Sequence, residues 1–156
     1  SPTDEGLMIS SEAEEALRSA VVCTLSMALG NEPYAVPVSY GYSDGRLYFH
    51  GSSSGRKLST LRENPRVCFT VVLSSSLKTA DAACKWSISY KSLVGFGSVA
   101  EIVDPEHKAK ALDVLMRQHS RFLGQEELSG YEYSPSSIEH TTVLCLTIDE
   151  VSLKEH

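Results

Sequence analysis

No stretch of this sequence approaches the roughly 18 consecutive apolar residues that a membrane-crossing helix needs. Its first residues, Ser-Pro-Thr-Asp-Glu, form neither the basic nor the apolar segment of an export signal. A soluble, cytoplasmic chain is the expectation, with residues 1–9 as a flexible lead. Basic charge is also scarce. Fourteen Lys and Arg stand against 20 Asp and Glu, a net charge of −6, and no basic run or stripe occurs. Nucleic acid, which is held by neutralising its phosphates, is excluded as an expected partner, and so is a membrane. Cysteines are few and scattered, at 23, 68, 84 and 145, with no C-x-x-C pair. They read as reduced thiols filling apolar positions, and with five dispersed histidines they suggest no metal site. Internal repeats are lacking, and the only low-complexity patches are the serines at 52–54 and 74–76. At 156 residues a single domain over 1–156 is the simplest organisation, large enough to bury about two-thirds of its unfolded surface without staples.

What is present is mainly strand pattern. Ser11 with Glu14 reads as a capping box opening a short amphipathic helix. Residues 20–28 form a first strand rich in β-branched and apolar side chains, and Tyr34 to Tyr42 a second, in which Pro37 marks an edge or a bulge. Ser43-Asp44-Gly45 is a turn, and Arg46 to His50 resumes as a strand. A helix is predicted over Arg56–Glu63, stopped by Asn64-Pro65, followed by a near-continuous apolar strand over 66–73 that should be buried on both faces. Residues 73–85 read as a polar loop. A long strand over 86–103 carries Gly95 and Gly97, which suit the corner of a small barrel. Asp104-Pro105 starts an external helix to about His119 with Ala109, Leu112, Leu115 and Met116 on one face, and 142–153 is the last strand. Residues 125–137 read as a crossover or a lid. The fold class expected is mainly β: a barrel with flanking helices.

The chemistry concentrates between Tyr34 and Leu73. A strand runs into Gly51-Ser52-Ser53-Ser54-Gly55 and at once into Arg56-Lys57 at a helix start. Glycines admit an anion to the backbone, hydroxyls and free N–H groups donate to it, and the positive helix end favours it. Two cations at that end are misplaced unless an anion intervenes. The loop matches neither Walker A nor G-x-G-x-x-G, and a solvated Ser/Gly connection is the plain alternative. His50, at the strand end beside the loop, is either a structural hydrogen-bonding group or one suited to proton transfer near neutral pH. Trp86, Tyr90 and Ser92 alternate onto one face of the long strand, as core or as ligand contacts. His107, His119, His140 and His156 read as surface residues.

The segments VPVSYGY (36–42), DGRLYFHG (44–51), GRKLSTLRENPRVCF (55–69) and CKWSISYKSLVGFGSV (84–99) resemble the FMN-binding split-barrel proteins related to pyridoxamine 5'-phosphate oxidase, and most of all their nitroimidazole-resistance branch. The resemblance spans about residues 6–153 and implies an FMN-binding split barrel. It puts the isoalloxazine against Val38, Ser39 and Tyr40, and the phosphate on the loop with Arg56 and Lys57. Those oxidases often carry Thr or Ser at the position of Gly51. Here the phosphate falls to Ser52, Ser53 or backbone N–H groups. Trp86, Tyr90 and Ser92 are implied to reach the flavin of a partner chain, which makes a homodimer with FMN at the interface.

A single phosphate loop without a dinucleotide fingerprint favours FMN over FAD. The expected function is an FMN-dependent oxidoreductase acting on a small molecule, either a nitroaromatic or similar electrophile or a pyridoxamine phosphate, with His50 as the catalytic candidate. The alternatives are a haem-binding or non-catalytic flavin-binding split barrel, or a deazaflavin-dependent reductase.

Overall fold

The computed structural model describes residues 9–51, 53–124 and 132–156. The chain opens with helix α1 (Ser11–Ser19), capped by Ser10, whose Oγ accepts from the Ala13 N–H at 3.1 Å. The cap thus lies one residue earlier than the Ser11/Glu14 pattern suggests. Glu14 instead turns to Arg18 at 3.2 Å, one helical turn on. Strands β1 (Val22–Leu29) and β2 (Glu32–Ser39) form an antiparallel hairpin. Pro37 pairs in register with Thr24, so the edge reading holds and the bulge does not. Strands β3 (Gly41–Ser43) and β4 (Arg46–Gly51) are joined by a tight turn in which Asp44 and Gly45 both have positive φ, 46° and 79°.

Helix α2 (Arg56–Glu63) forms as predicted, and strands β5 (Arg66–Lys78) and β6 (Ser87–Ile102) are both long. The first part of the polar loop expected at 73–85, residues 73–78, is strand, and 79–85 form the loop. Ser74, Ser75 and Ser76 continue β5 in register with β6 beyond a bulge after Val72, and only a single 3₁₀ turn at Ala83–Lys85 caps the hairpin. Helix α3 (Pro105–Phe122), capped by Asp104, runs to the short α4 (Pro135–His140), and β7 (Thr142–Glu155) ends the fold. The first part of the expected 125–137 crossover, residues 125–131, lies outside the described residues.

All seven strands join one antiparallel sheet in the order β2-β1-β5-β6-β7-β4-β3. Its two edge strands, β2 and β3, are consecutive pieces of chain separated only by Tyr40. The barrel is therefore closed by the chain itself as it passes from one edge to the other. Tyr40 secures that corner. Its N–H donates to the Val21 carbonyl at 2.9 Å and its hydroxyl to the Leu17 carbonyl at 2.7 Å, with the ring fully buried.

Alternation sends Leu25, Leu47, Phe49, Phe69, Val71, Leu93, Leu146 and Ile148 into the barrel. Gly95 does not turn a corner so much as make room, since a side chain there would run into the Phe69 ring. Strand β5 is buried on one face only, contrary to its continuous apolar pattern. Its outward Val72 is 70% exposed. A second, smaller buried group of Ala111, Leu115, Ile138 and Val143 lies outside the barrel, beneath α3 and α4.

Candidate functional site

The β4–α2 junction is built as the residue types require. Gly55 sits at φ 119°, a conformation that side chains disfavour, and turns the chain into α2. No side chain caps this helix and no acidic residue occupies its first turn. Its leading N–H groups and positive dipole end therefore face the loop. Lys57 folds back over that loop, with Nζ 3.6 Å from where a Cβ on Gly51 would stand. Glycine at 51 thus leaves open the space beside the ammonium. Arg56 turns the other way, stacking over Tyr34 at 4.6 Å and pairing with Glu32 at 3.3 Å. Of the two expected cations, one addresses the loop and the other braces it against β2. Ser53 is exposed, and Ser52 lies outside the described residues.

The residues expected against a flat ring divide by strand alternation. Val38 and Tyr40 share the inward face, and both side chains are core. Burial pushes the Tyr40 hydroxyl well above the ordinary tyrosine range. Only Ser39 points its side chain to solvent, so Val38 and Tyr40 could offer a ligand only their backbone.

Tyr90 and Ser92 lie on the outward face of β6, and Trp86 just precedes it. Trp86 is half exposed, its indole N–H donating to the Ala80 carbonyl at 2.7 Å, and the Tyr90 ring stacks on His156 with centroids 4.8 Å apart. Core packing is thereby ruled out for Trp86. The stripe does not meet the loop within one chain. Thr142 pairs with Gly51 at one end of β7, whereas Tyr90 bonds to His156 at the chain's end beyond its other end. Fourteen residues of extended chain span roughly 45 Å.

His50 ends the outward face of β4, and on that side the structure adds what the sequence did not suggest. Together with Leu112, Leu115, Met116, His119, Tyr133, Ser137, Ile138 and Thr141 it lines a pocket of about 220 Å³ beneath α3 and α4. Part of the ring meets solvent, while the part facing α3 is desolvated. That burial, then the neighbouring His119 and the Lys57 ammonium, hold the His50 pKa below its ordinary value. His119 is no surface residue either. Its Nε2 is fully buried and has no hydrogen-bond partner among the described residues. A signal for it existed in the spacing Leu112, Leu115, Met116, His119, which continues the apolar face of α3.

Gln118 is the other residue that pattern reading passed over. It is 1% exposed, accepts from the Tyr42 N–H at 2.8 Å and donates to the carbonyls of Leu17 at 3.0 Å and Ala20 at 2.6 Å. One amide thus ties α3 to β3 and to the end of α1. Gly41 permits the approach, since a Cβ there would stand 2.8 Å from the Leu115 backbone. Among the described residues no cluster of three metal-ligating side chains occurs, and no helix is long and apolar enough to cross a membrane.

The family model described as pyridoxamine 5'-phosphate oxidase matches residues 10–155. No curated protein matches the sequence. Among solved structures, the fold is similar to that of a candidate 5-nitroimidazole antibiotic resistance protein from Bacteroides thetaiotaomicron, with 27% identity, TM-score 0.78, and 96% of this chain and 85% of that one covered. It is also similar to an FAD-binding protein from Mesorhizobium loti, with 25% identity, TM-score 0.64, and coverage of 95% and 96%. A third similar structure is an FAD- and haem-binding protein from Mycobacterium smegmatis, with 23% identity, TM-score 0.75, and coverage of 99% and 71%.

Proposed function

The chain belongs to the pyridoxamine 5'-phosphate oxidase family, whose split-barrel fold it has, and on that premise we propose that it is an FMN-dependent oxidoreductase working as a homodimer. The observation that carries this reading is the β4–α2 junction, where an uncapped helix start, the space at Gly51 and the Lys57 ammonium converge. A phosphate monoester fits those donors, since each is a charge-assisted or dipole-aligned partner for an anion. One such junction and no dinucleotide fingerprint favour FMN over FAD.

The bound flavin would supply the electron transfer; the protein holds and covers it. Lys57 and the leading amides of α2 anchor the phosphate, and the backbone of Val38 to Tyr40, with the Ser39 hydroxyl, lines the ring. The other ring face is left to Trp86, Tyr90 and Ser92 of a second copy, because within one chain they stand far from the loop. Two-fold symmetry then yields two equivalent shared sites. His50, held neutral near pH 7, is placed to accept a proton or a hydrogen bond beside the loop. Likeness to the Bacteroides protein, named for nitroimidazole resistance, supports small nitroaromatic or similar electrophiles as the substrate class.

Haem is the second reading, favoured by the unpartnered His119 nitrogen and weakened by the 220 Å³ pocket, which falls below the roughly 300 Å³ of the smallest drug-sized sites. The visible spectrum of the purified or reconstituted protein separates the two. Paired flavin bands with FMN released on denaturation are expected. A lone Soret band, a deazaflavin or FAD in the released fraction, or no chromophore after reconstitution would each overturn the assignment.

A further inference from the structure

The pocket between β4, α3 and α4 is separate from the exposed face of β6 and is not needed for anchoring a phosphate. Its apolar wall is Leu112, Leu115, Met116 and Ile138; besides His50 and His119 it meets three hydroxyl side chains, at 133, 137 and 141, that are already hydrogen-bonded elsewhere. The buried Nε2 of His119 has no partner among the described residues, which is unusual for a polar atom inside a folded protein. Water is a poor answer. One water takes about 30 Å³ and needs two to four polar partners, so filling 220 Å³ against these aliphatic walls would require several poorly bonded molecules.

An apolar cavity of about 150 Å³ suffices for a benzene ring, so 220 Å³ holds one ring and a small substituent. The surroundings disfavour a cationic guest. His50 is kept from protonation by its surroundings, and a cationic guest would meet the Lys57 ammonium beside Gly51. A single imidazole nitrogen, whichever tautomer it adopts, is satisfied by a group that both donates and accepts, as a hydroxyl does.

We propose that this pocket is a binding site for a neutral, one-ring aromatic molecule bearing a hydroxyl, whose ring lies among Leu112, Leu115, Met116 and Ile138 and whose hydroxyl bonds to His119 Nε2. The site is independent of the flavin reading, because none of its lining residues is assigned to phosphate or ring binding except His50 at its rim.

The test uses the purified full chain, with and without FMN, titrated with phenol and with benzene as the probe lacking the hydroxyl. Saturable shifts of the His119 and His50 ring C–H resonances are expected with phenol in both states. His119→Leu should weaken phenol about fivefold, the loss of one neutral hydrogen bond, while leaving benzene unchanged. Leu112→Trp, which fills the pocket, should abolish both. Three results would overturn the site: no saturable shift with phenol, an equal loss of both probes in His119→Leu, or undiminished binding in a folded Leu112→Trp chain. A protein that fails to hold FMN yet binds phenol this way would separate the two proposals.

Discussion

Two sectors of the same barrel wall have opposite outer surfaces. Over β3, β4 and the start of β7 the outward side chains are covered by α3 and α4, and the seam is sewn by Gln118, Tyr42 and Tyr40. Over the middle of β5 and β6 no described element covers the outward face. Val72, Leu77, Ile88, Tyr90 and Phe96 stand on that face, each at least 37% exposed, with Trp86 beside them. Cross-strand register gathers them, pairing Cys68 with Phe96, Val72 with Ser92 and Leu77 with Ile88. Soluble monomers seldom leave so connected an apolar patch to water. The covered sector is finished by its own helices, whereas the bare one leaves its apolar side chains exposed in the single chain.

The sharpest break of the covered sector is Gln118→Met. It keeps the volume but strips the Tyr42 N–H and the Ala20 carbonyl of their partner, while Leu17 retains the Tyr40 hydroxyl. Urea denaturation should show a loss of about 3 kcal/mol, since each buried polar group left unpaired costs about 1–3 kcal/mol. A loss below about 0.5 kcal/mol would mean that the amide is incidental to the seam. On the bare sector the outcome should be reversed. Val72→Glu places a charge on a side chain already exposed in the single chain, so intrinsic chain stability should change by no more than about 0.5 kcal/mol. Association should weaken by about 2–3 kcal/mol if the patch is an interface core. Sedimentation of wild type and variant across concentration reads this directly; identical profiles would remove the dimer from this face.

The same comparison explains what could be read in advance. Barrel strands, the Arg56–Glu63 helix and the Asp104 cap follow from local pattern and hold in the structure. The 66–73 run misled because an exposed apolar residue leaves the same pattern as a buried one: Val72 is apolar although it stands on the outward face. The serines at 74–76 read as loop because polarity outweighed pairing, yet ladder bonds to β6 satisfy their backbone whatever the side chain. The direction of Tyr40 was not legible, because it depends on the inward parity that runs on from β2. Gln118 and His119 sit on a helix whose amphipathic pattern was recognised. Their roles come from elements about 100 and 70 residues away, a coupling that no local spacing encodes.

Lys57→Ala examines the junction between the two sectors. Its ammonium leans over Gly51 and makes no described ion pair, so the fold should hardly notice its loss. FMN affinity should fall by about 2 kcal/mol, the ordinary size of one charge-assisted contact. Fluorescence titration of the flavin measures it, with Arg56→Ala as the contrast. Arg56 is committed to Glu32 and Tyr34, so its removal should weaken FMN less. Equal affinities in Lys57→Ala and wild type would dispose of the phosphate anchor.

The smallest expected effect is the titration of His50, and it asks whether the covered sector is electrically what its geometry implies. Desolvation under α3, then His119, then Lys57 lower the pKa of His50 from its ordinary 6.5. The charged or titratable groups that act on the ring are Lys57 from α2 and His119 from α3. Between the folded and unfolded pKa values the unfolded chain binds more protons, so this group makes stability rise with pH there. Lowering the pH below 6.5 therefore removes stability, and the loss ends once His50 is protonated in the folded state as well. His119→Gln removes the His119 ring that opposes protonation of His50 and should move the His50 midpoint upward, though short of 6.5 because burial remains. Proton NMR of the ring C–H signals follows both midpoints, and His50→Gln should flatten that part of the stability curve. A wild-type midpoint at or above 6.5, or a downward move in His119→Gln, would mean that the two histidines do not share the pocket.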